Sequence, residues 1–483
     1  MYRRDFTQSV LLGAITASAQ SLLLPLRAAA AQCSNYPSMD RTVVNVMLNG
    51  GADLRFLFMP APNDGGLDPS HLDLIWRARK NLYTDFRDDP LVAYEEMFNA
   101  LYNTVQATES HPAFGIHKRC GWLYDQFNSG NVAIVANAVC SSNRRHDQSI
   151  LNANAGIPGL TSLEQDRDGW GGRLVEHIGG DSCAVELGNN ISVFNIGSND
   201  GNRLANVVHA ADVRNISLPT PSANGTKDGD VVARAIKEYY AGRGPEVANQ
   251  QPQEWLFHTF FNHNTAFRSL ESQVVPQLDN CEPLFNAPEG LYSSSWGKQC
   301  RNLHDVCLTA DILKARVISM SYGGWDSHGD EESSIGKKLE DMFGTGKGLD
   351  LTLAEIETFS SGARDKLVFY FASDFGRQLV SNGDYGTDHG SGSYGIVIGT
   401  DVAGGVYGNM FPVSEADPNT DSTGEIPLQR HGADITGLTS TEHILAAIAD
   451  WASPGGSVLV TPNVASAPRE SGVTLENLLP KAA

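Results

Sequence analysis

Five short apolar runs punctuate the chain: 42–48 (TVVNVML), 132–139 (VAIVANAV), 315–321 (ARVISMS), 366–371 (KLVFYF) and 395–399 (GIVIG). None alternates strictly with polar residues, which is the pattern of strands covered on both faces. Between them, apolar positions recur at helical spacing. Residues 116–129 place Ile116, Cys120, Leu123 and Phe127 on one face before Gly130, and 261–275 and 333–360 read the same way. Strands alternating with helices predict an α/β domain with a mostly parallel sheet flanked by helices. Two stretches break the pattern. Residues 188–250 are rich in Asn, Gly, Asp and Ser, and 279–300 hold two cysteines, two prolines and a serine run. The span 188–300 therefore reads as insertions at the sheet rim, and 410–435 as a further long loop.

The N-terminus reads as an address. Arg3-Arg4-Asp5-Phe6 is followed by an apolar stretch over 10–26, diluted by Gly13, Thr16, Ser18 and Gln20, and then by Arg27 and four alanines. Paired arginines, a mild apolar core and small residues before Gln32 describe a twin-arginine export signal. The stretch falls short of the ~20 apolar residues of a membrane span. The expected organisation is a signal over 1–31 and a single domain over 32–483, delivered to the periplasm or the exterior, with no integral membrane segment once the signal is removed.

Composition narrows the function classes. Hydrophobic residues are 41% and charged ones 19%, which excludes a wholly disordered or fibrous chain. The 56 acidic against 35 basic residues give a net charge of −21. Such a surface repels phosphate backbones, so nucleic acid is not an expected partner. Seven cysteines without a CxxC argue against a zinc ribbon or a thioredoxin-type site. Cys281, Cys300 and Cys307 form the candidate disulfide region in an oxidising compartment, with buried free thiols as the alternative.

In parallel α/β sheets, ligands bind beyond the carboxyl ends of the strands. The run 42–48 is followed by Asn49-Gly50-Gly51-Ala52-Asp53, and 132–139 by Cys140-Ser141-Ser142-Asn143-Arg144-Arg145-His146-Asp147. The run 315–321 leads into Gly323-Gly324-Trp325-Asp326-Ser327-His328, and 366–371 into Ser373-Asp374-Phe375-Gly376-Arg377. Asp388 and His389 precede 395–399. Parallel, adjacent strands would bring these groups to one rim. Asp53, Asp326, His328, Asp374, Asp388 and His389 are oxygen and nitrogen donors without a thiolate, a set suited to Zn, Mn or Fe, or to Mg or Ca when carboxylates dominate.

The same motifs carry a resemblance. Arg3-Arg4-Asp5-Phe6, NGGAD at 49–53, FGIHKRCGWLYDQFNSGNVAIV at 114–135, NRRHDQ at 143–148, GGWDSHGD at 323–330, SDFGRQ at 373–378, NGDYGTDHG at 382–390 and GGVYG at 404–408 resemble the domain-of-unknown-function 1501 family. By fold that family is placed in the alkaline phosphatase and sulfatase superfamily. The resemblance implies an alkaline-phosphatase-like sheet with one or two divalent metals at its rim. Asp53 and Asp374 would hold one, and Asp326, His328 and His389 the other. It also implies a hydroxyl or modified-cysteine nucleophile at a helix start. At that place the family's Arg-Ser-His reads Arg144-Arg145-His146, and Phe375 stands where the superfamily often has a histidine. Ser142, Arg144, Arg145 and His146 thus form the candidate catalytic set, with Ser141 and Ser149 as displaced hydroxyls. Arg144, Arg145 and Arg377 form the candidate anion-binding set. Three functions remain open: a metal-dependent hydrolase of phosphate or sulfate esters, acting on a small anionic ester or a polysaccharide; an exported metal-binding protein without catalysis, with a binding or surface-assembly role; and a calcium-stabilised structural protein.

Overall fold

The computed structural model describes residues 39–62, 67–87, 92–163, 167–188, 191–198, 207–210, 212–215, 272–278, 294–412 and 437–481. The signal segment 1–31, most of the 188–300 stretch, nearly all of the 410–435 loop, and Cys33 and Cys281 lie outside them.

Fourteen strands are described: β1 (Thr42–Asn49), β2 (Phe58–Pro60), β3 (Tyr102–Val105), β4 (Phe114–His117), β5 (Val132–Val139), β6 (Cys183–Glu186), β7 (Val207–His209), β8 (Ala315–Gly323), β9 (Leu367–Ser373), β10 (Gly376–Ser381), β11 (Thr387–Gly390), β12 (Ser393–Ile398), β13 (Gly405–Tyr407) and β14 (Thr439–Ser440). Nine form one sheet in the order β13-β5-β12-β9-β1-β8-β6-β7, with β14 also beside β5. All pairings in it are parallel except the two made by β12, which runs antiparallel to β5 and β9. The five apolar runs are five of these strands. The direction of β12 follows from its connection. Only Ser391 and Gly392 separate it from β11, so no crossover helix returns the chain to the other end of the sheet, as a parallel strand would need.

Each strand serves two cores. On β1, Val44, Val46 and Leu48 enter one apolar cluster, while Val43 and Met47 enter the other. On β9, Leu367, Phe369 and Phe371 face the first cluster, and Val368, Tyr370 and Ala372 the second. Burial of each such side chain stabilises by roughly 1.5–3 kcal/mol. The first cluster is covered by the helices Pro69–Arg79, Gly121–Asn128, Ser295–Leu308, Glu331–Phe343 and Gly348–Phe359, the second by Trp170–Ile178 and Glu442–Ala452. The helical reading of 116–129 begins too early. Residues 114–117 are β4, claimed by antiparallel pairing with β2 and β3. The reading of 333–360 breaks into two helices at Gly344-Thr345-Gly346, where Gly346 has φ +68°.

Among the described residues, Cys120, Cys140, Cys183, Cys300 and Cys307 are buried free thiols. No described helix is long and apolar enough to cross a membrane. Because β12 reverses direction between β5 and β9, the carboxyl ends of β1, β5, β8 and β9 share one rim. The β10–β11 hairpin is joined to that rim, pairing Gly376 with Gly390 and Arg377 with His389.

Candidate metal centre

The turn after β1 shapes the rim. Gly50 and Gly51 have φ of +126° and +72°, and their amides donate to Asp374 Oδ1 at 3.1 and 2.5 Å. Successive amides in this conformation form an anion-binding nest. Glycine is required at both positions. A Cβ on Gly50 would stand 2.4 Å from the Asp326 amide nitrogen, and one on Gly51 2.3 Å from the Phe375 ring. Gly50→Ala should therefore cost about 1–3 kcal/mol of stability, read as a lower denaturant midpoint at unchanged slope.

Asp374, wholly buried at the end of β9, passes this anchoring on. Its Oδ2 accepts from His146 Nδ1 at 2.7 Å. His146 opens the helix His146–Ala155 that follows β5, so one carboxylate ties three strand ends together. His328, beyond β8, donates Nδ1–H to Asp388 Oδ1 at 3.1 Å. His389, on β11, donates Nδ1–H to the Arg144 carbonyl at 3.0 Å. A carbonyl or a carboxylate oxygen accepts only, so each Nδ1 carries a proton, and in the neutral ring each Nε2 is the lone pair left to bind a metal.

The three Nε2 atoms converge on Asp326. His328 and His389 bring theirs to 3.0 and 3.1 Å from Oδ1, and His146 brings its own to 3.5 Å from Oδ2. The His328 and His389 Nε2 atoms are 3.1 Å apart, two lone pairs that repel unless a cation stands between them. His146 Nε2 is buried without a hydrogen-bond partner. The donor atoms of His146, Asp326 and His389 all lie within 4.8 Å of one another. Imidazoles whose Nδ1–H groups are tied to a carboxylate or a carbonyl are the usual support of metal-ligating histidines. Donor chemistry and the orphaned His146 nitrogen thus both fit a divalent metal. Asp326 and His328 side chains are 44% and 48% exposed, so one side of the group is open to solvent.

Electrostatics keep Asp326 ionised. Partial burial alone would raise its carboxyl, but the hydrogen bond from Arg377, the His389 ring beside Oδ1 and the Arg377 charge outweigh that and hold it at about 2. Burial, with Arg377 nearby, lowers His389 despite the Asp326 carboxylate beside it. The Phe375 ring packs against His146 and His389, with centroids 4.7 and 4.4 Å away.

The structure brings Asp326, His328, His389 and His146 together. Asp374 and Asp388 stand behind histidines. Arg377 is a buried brace, donating to Gly50 O, Gly51 O, Trp325 O, Thr387 O and Asp326 Oδ1. Arg144 donates to His389 O and Ser391 Oγ at 3.0 and 2.9 Å. Arg145 is exposed and pairs with Asp147 at 2.8 Å. Ser142 is exposed, and its amide donates to Pro158 O. The Ser141 hydroxyl oxygen accepts from the Asn143 amide and from Asn152, while Ser149 Oγ donates to Asn143 O. Among the described residues, no hydroxyl of these three serines bonds any of the four converging groups.

Asp53 lies in a separate buried network. Its Oδ1 accepts from the amides of Arg55 and Phe56, and its Oδ2 meets Arg79 at 2.5 Å. Glu331, also buried, accepts from Thr387 Oγ1 at 2.8 Å. Burial would raise the Asp53 carboxyl, but the Arg79 charge and hydrogen bonds from Glu331 and Arg79 hold it below the usual range. Burial, then the Asp53 charge, push Glu331 well above its own. Nothing in the sequence pattern singles out Arg79 or Glu331, which lie 26 and 278 residues beyond Asp53. Glu331 holds its proton more tightly folded than unfolded. Its contribution is complete below its unfolded value of about 4.3 and is lost as pH rises through the folded value. Glu331→Gln, which keeps both hydrogen bonds without a titrating proton, should melt like the parent near pH 4 and above it at pH 8. A parallel decline of the two proteins over that range would exclude the shared proton.

Residues 303–422 match the model of a family described as Protein of unknown function (DUF1501). That span holds Asp326, His328, Asp374, Asp388 and His389, but not His146. No curated protein matches the chain.

Proposed function

We propose that this chain is a twin-arginine-exported, metal-dependent hydrolase of small phosphate or sulfate esters, built on an alkaline-phosphatase-like version of its α/β fold. The observation that carries the reading is the convergence of three bare imidazole nitrogens on the Asp326 carboxylate, on a rim open to solvent. His146, Asp326, His328 and His389 would hold the metal. A divalent ion bound there supplies Lewis acidity toward an ester oxygen and toward water. Asp374, Asp388 and the Arg144 carbonyl fix the three rings and their protons. Arg144, braced beside His389, places positive charge near an anionic ester, and Arg377 secures Asp326 from behind.

Nucleophile choice follows from the loop after β5. Ser142 makes no hydrogen bond to the four groups, so water is the attacking group in this reading, and no seryl intermediate forms. Arg145, turned to solvent and paired with Asp147, is not part of the machinery. Arg145→Ser should leave metal content and turnover as they are, and turnover gained by that variant would restore a seryl route.

The same serine geometry favours one other reading, an exported protein that binds metal without catalysis. The purified protein, freed of metal by a chelator and reloaded, separates the two on an aryl phosphate and an aryl sulfate. Turnover restored by metal and abolished in His146→Ala supports the hydrolase. Metal uptake without turnover supports the binding protein. Export is tested separately. Lysine at both Arg3 and Arg4 should retain the precursor in the cytoplasm, and normal export of that variant would reject the twin-arginine route.

A further inference from the structure

We infer that the rim takes one divalent ion of borderline softness, of the zinc, cobalt or iron(II) class, and that the described residues offer no place beside it for a second. This rests on the reading of the rim as a metal centre and adds its nuclearity and selectivity.

Selectivity follows from the donors. Three imidazole nitrogens and one carboxylate suit Zn, Co, Fe and Ni, whereas Mg and Ca take nearly all-oxygen shells. The carboxylates that would convert the site to an oxygen shell are engaged elsewhere. Asp374 gives Oδ1 to the Gly50 and Gly51 amides and Oδ2 to His146 Nδ1. Asp388 Oδ1 accepts from His328 Nδ1 and from Asn382 Nδ2.

Nuclearity follows from what closes the adjoining space. A second ion would need further protein donors beside those of the first. Asp53, the next acidic group from the β1 turn, is buried and neutralised by Arg79. Glu331 faces Asp53 and Thr387 instead of the rim. Phe375 follows Asp374 directly, and its ring covers His146 and His389 with carbon where a ligand would be required. Among the described residues, no second cluster of three His, Cys, Asp or Glu donors stands alongside.

The test is metal binding by the full chain, apart from any turnover. Metal-free protein is titrated with Co(II), followed by its visible absorption, and then with Zn(II) in competition. Bound metal is counted by elemental analysis after gel filtration. One equivalent of Co(II) or Zn(II) is expected, undisplaced by millimolar Mg(II) or Ca(II). Asp374→Asn, which keeps the fold's acceptor but weakens the hold on His146, should reduce affinity about 10–100-fold with the stoichiometry unchanged. His146→Ala should reduce it further. Circular dichroism and melting of the metal-free variants show whether each folds. Two tightly held equivalents, or preference for Mg(II) or Ca(II), would overturn the inference. A protein that binds one Zn(II) yet hydrolyses no ester would leave it standing while removing the hydrolase.

Discussion

Arg79→Ala should destabilise the protein by about 3–5 kcal/mol, the loss typical when one partner of a buried ion pair is removed. The Arg79 side chain is fully buried, and its guanidinium meets Asp53 at 2.5 Å and the Leu379 carbonyl at 3.3 Å. Without it, Asp53 and Glu331 face each other in the interior with no cation between them. The Asp53 carboxyl, held low by Arg79, would move upward. The parent draws stability from Asp53 above its unfolded value of about 3.9 and loses it as pH falls through the lower folded value. The variant's deficit should therefore narrow in acid, where both carboxyls are protonated. Urea melts from pH 4 to 8 measure this, and a deficit independent of pH would mean that Arg79 acts through packing alone. The double variant Arg79→Met with Asp53→Leu should recover part of the loss, since an apolar pair leaves no buried charge.

Asp326→Asn should have the largest effect on metal. The substitution keeps an acceptor for Arg377, so the metal-free protein should fold, but it removes the anion on which three imidazoles converge. A ligand present at 1,000 times its dissociation constant stabilises the folded state by about 4.1 kcal/mol. The parent should melt markedly higher with Zn(II) than with chelator, and Asp326→Asn should show almost no difference between the two. An equal metal-induced shift in both proteins would place the ion elsewhere. A metal-free variant that fails to fold would assign Asp326 a structural task through Arg377, which Asp326→Glu then checks by restoring charge.

The apolar patterning was enough to find β1, β5, β8, β9 and β12, but not the other nine described strands. Both faces of β1, β5, β8 and β9 are covered, so an almost continuous apolar run was the only pattern they could carry, and alternation does not appear. The strand-end rule then placed Asp326, His328 and Asp374 at one rim, because β5, β8, β9 and β1 do share a direction, whereas His389, which precedes β12, reaches that rim because β12 runs antiparallel. The direction of β12 was not legible, since a run of apolar residues is the same read either way. It was decided by the short link from β11.

The division of labour among the polar residues was hidden for a related reason. NGGAD reads as a turn that delivers a carboxylate. In the structure, positive φ at Gly50 and Gly51 aims the two amides at Asp374 and turns Asp53 inward to Arg79. Asp374 and Asp388 look like ligands by type and position, yet each is met first by an Nδ1 hydrogen. His146 sat in a motif read for its missing serine. Its place depends on how the helix His146–Ala155 leaves β5 and on a bond to a residue 228 positions away. Sequence by itself determined which residue types reach the rim, because strand patterning and glycine turns are local. Which carboxylate faces the ion, which orients a ring and which is buried against an arginine was decided only by tertiary structure, because each role depends on the partner that long-range packing brings within hydrogen-bond reach.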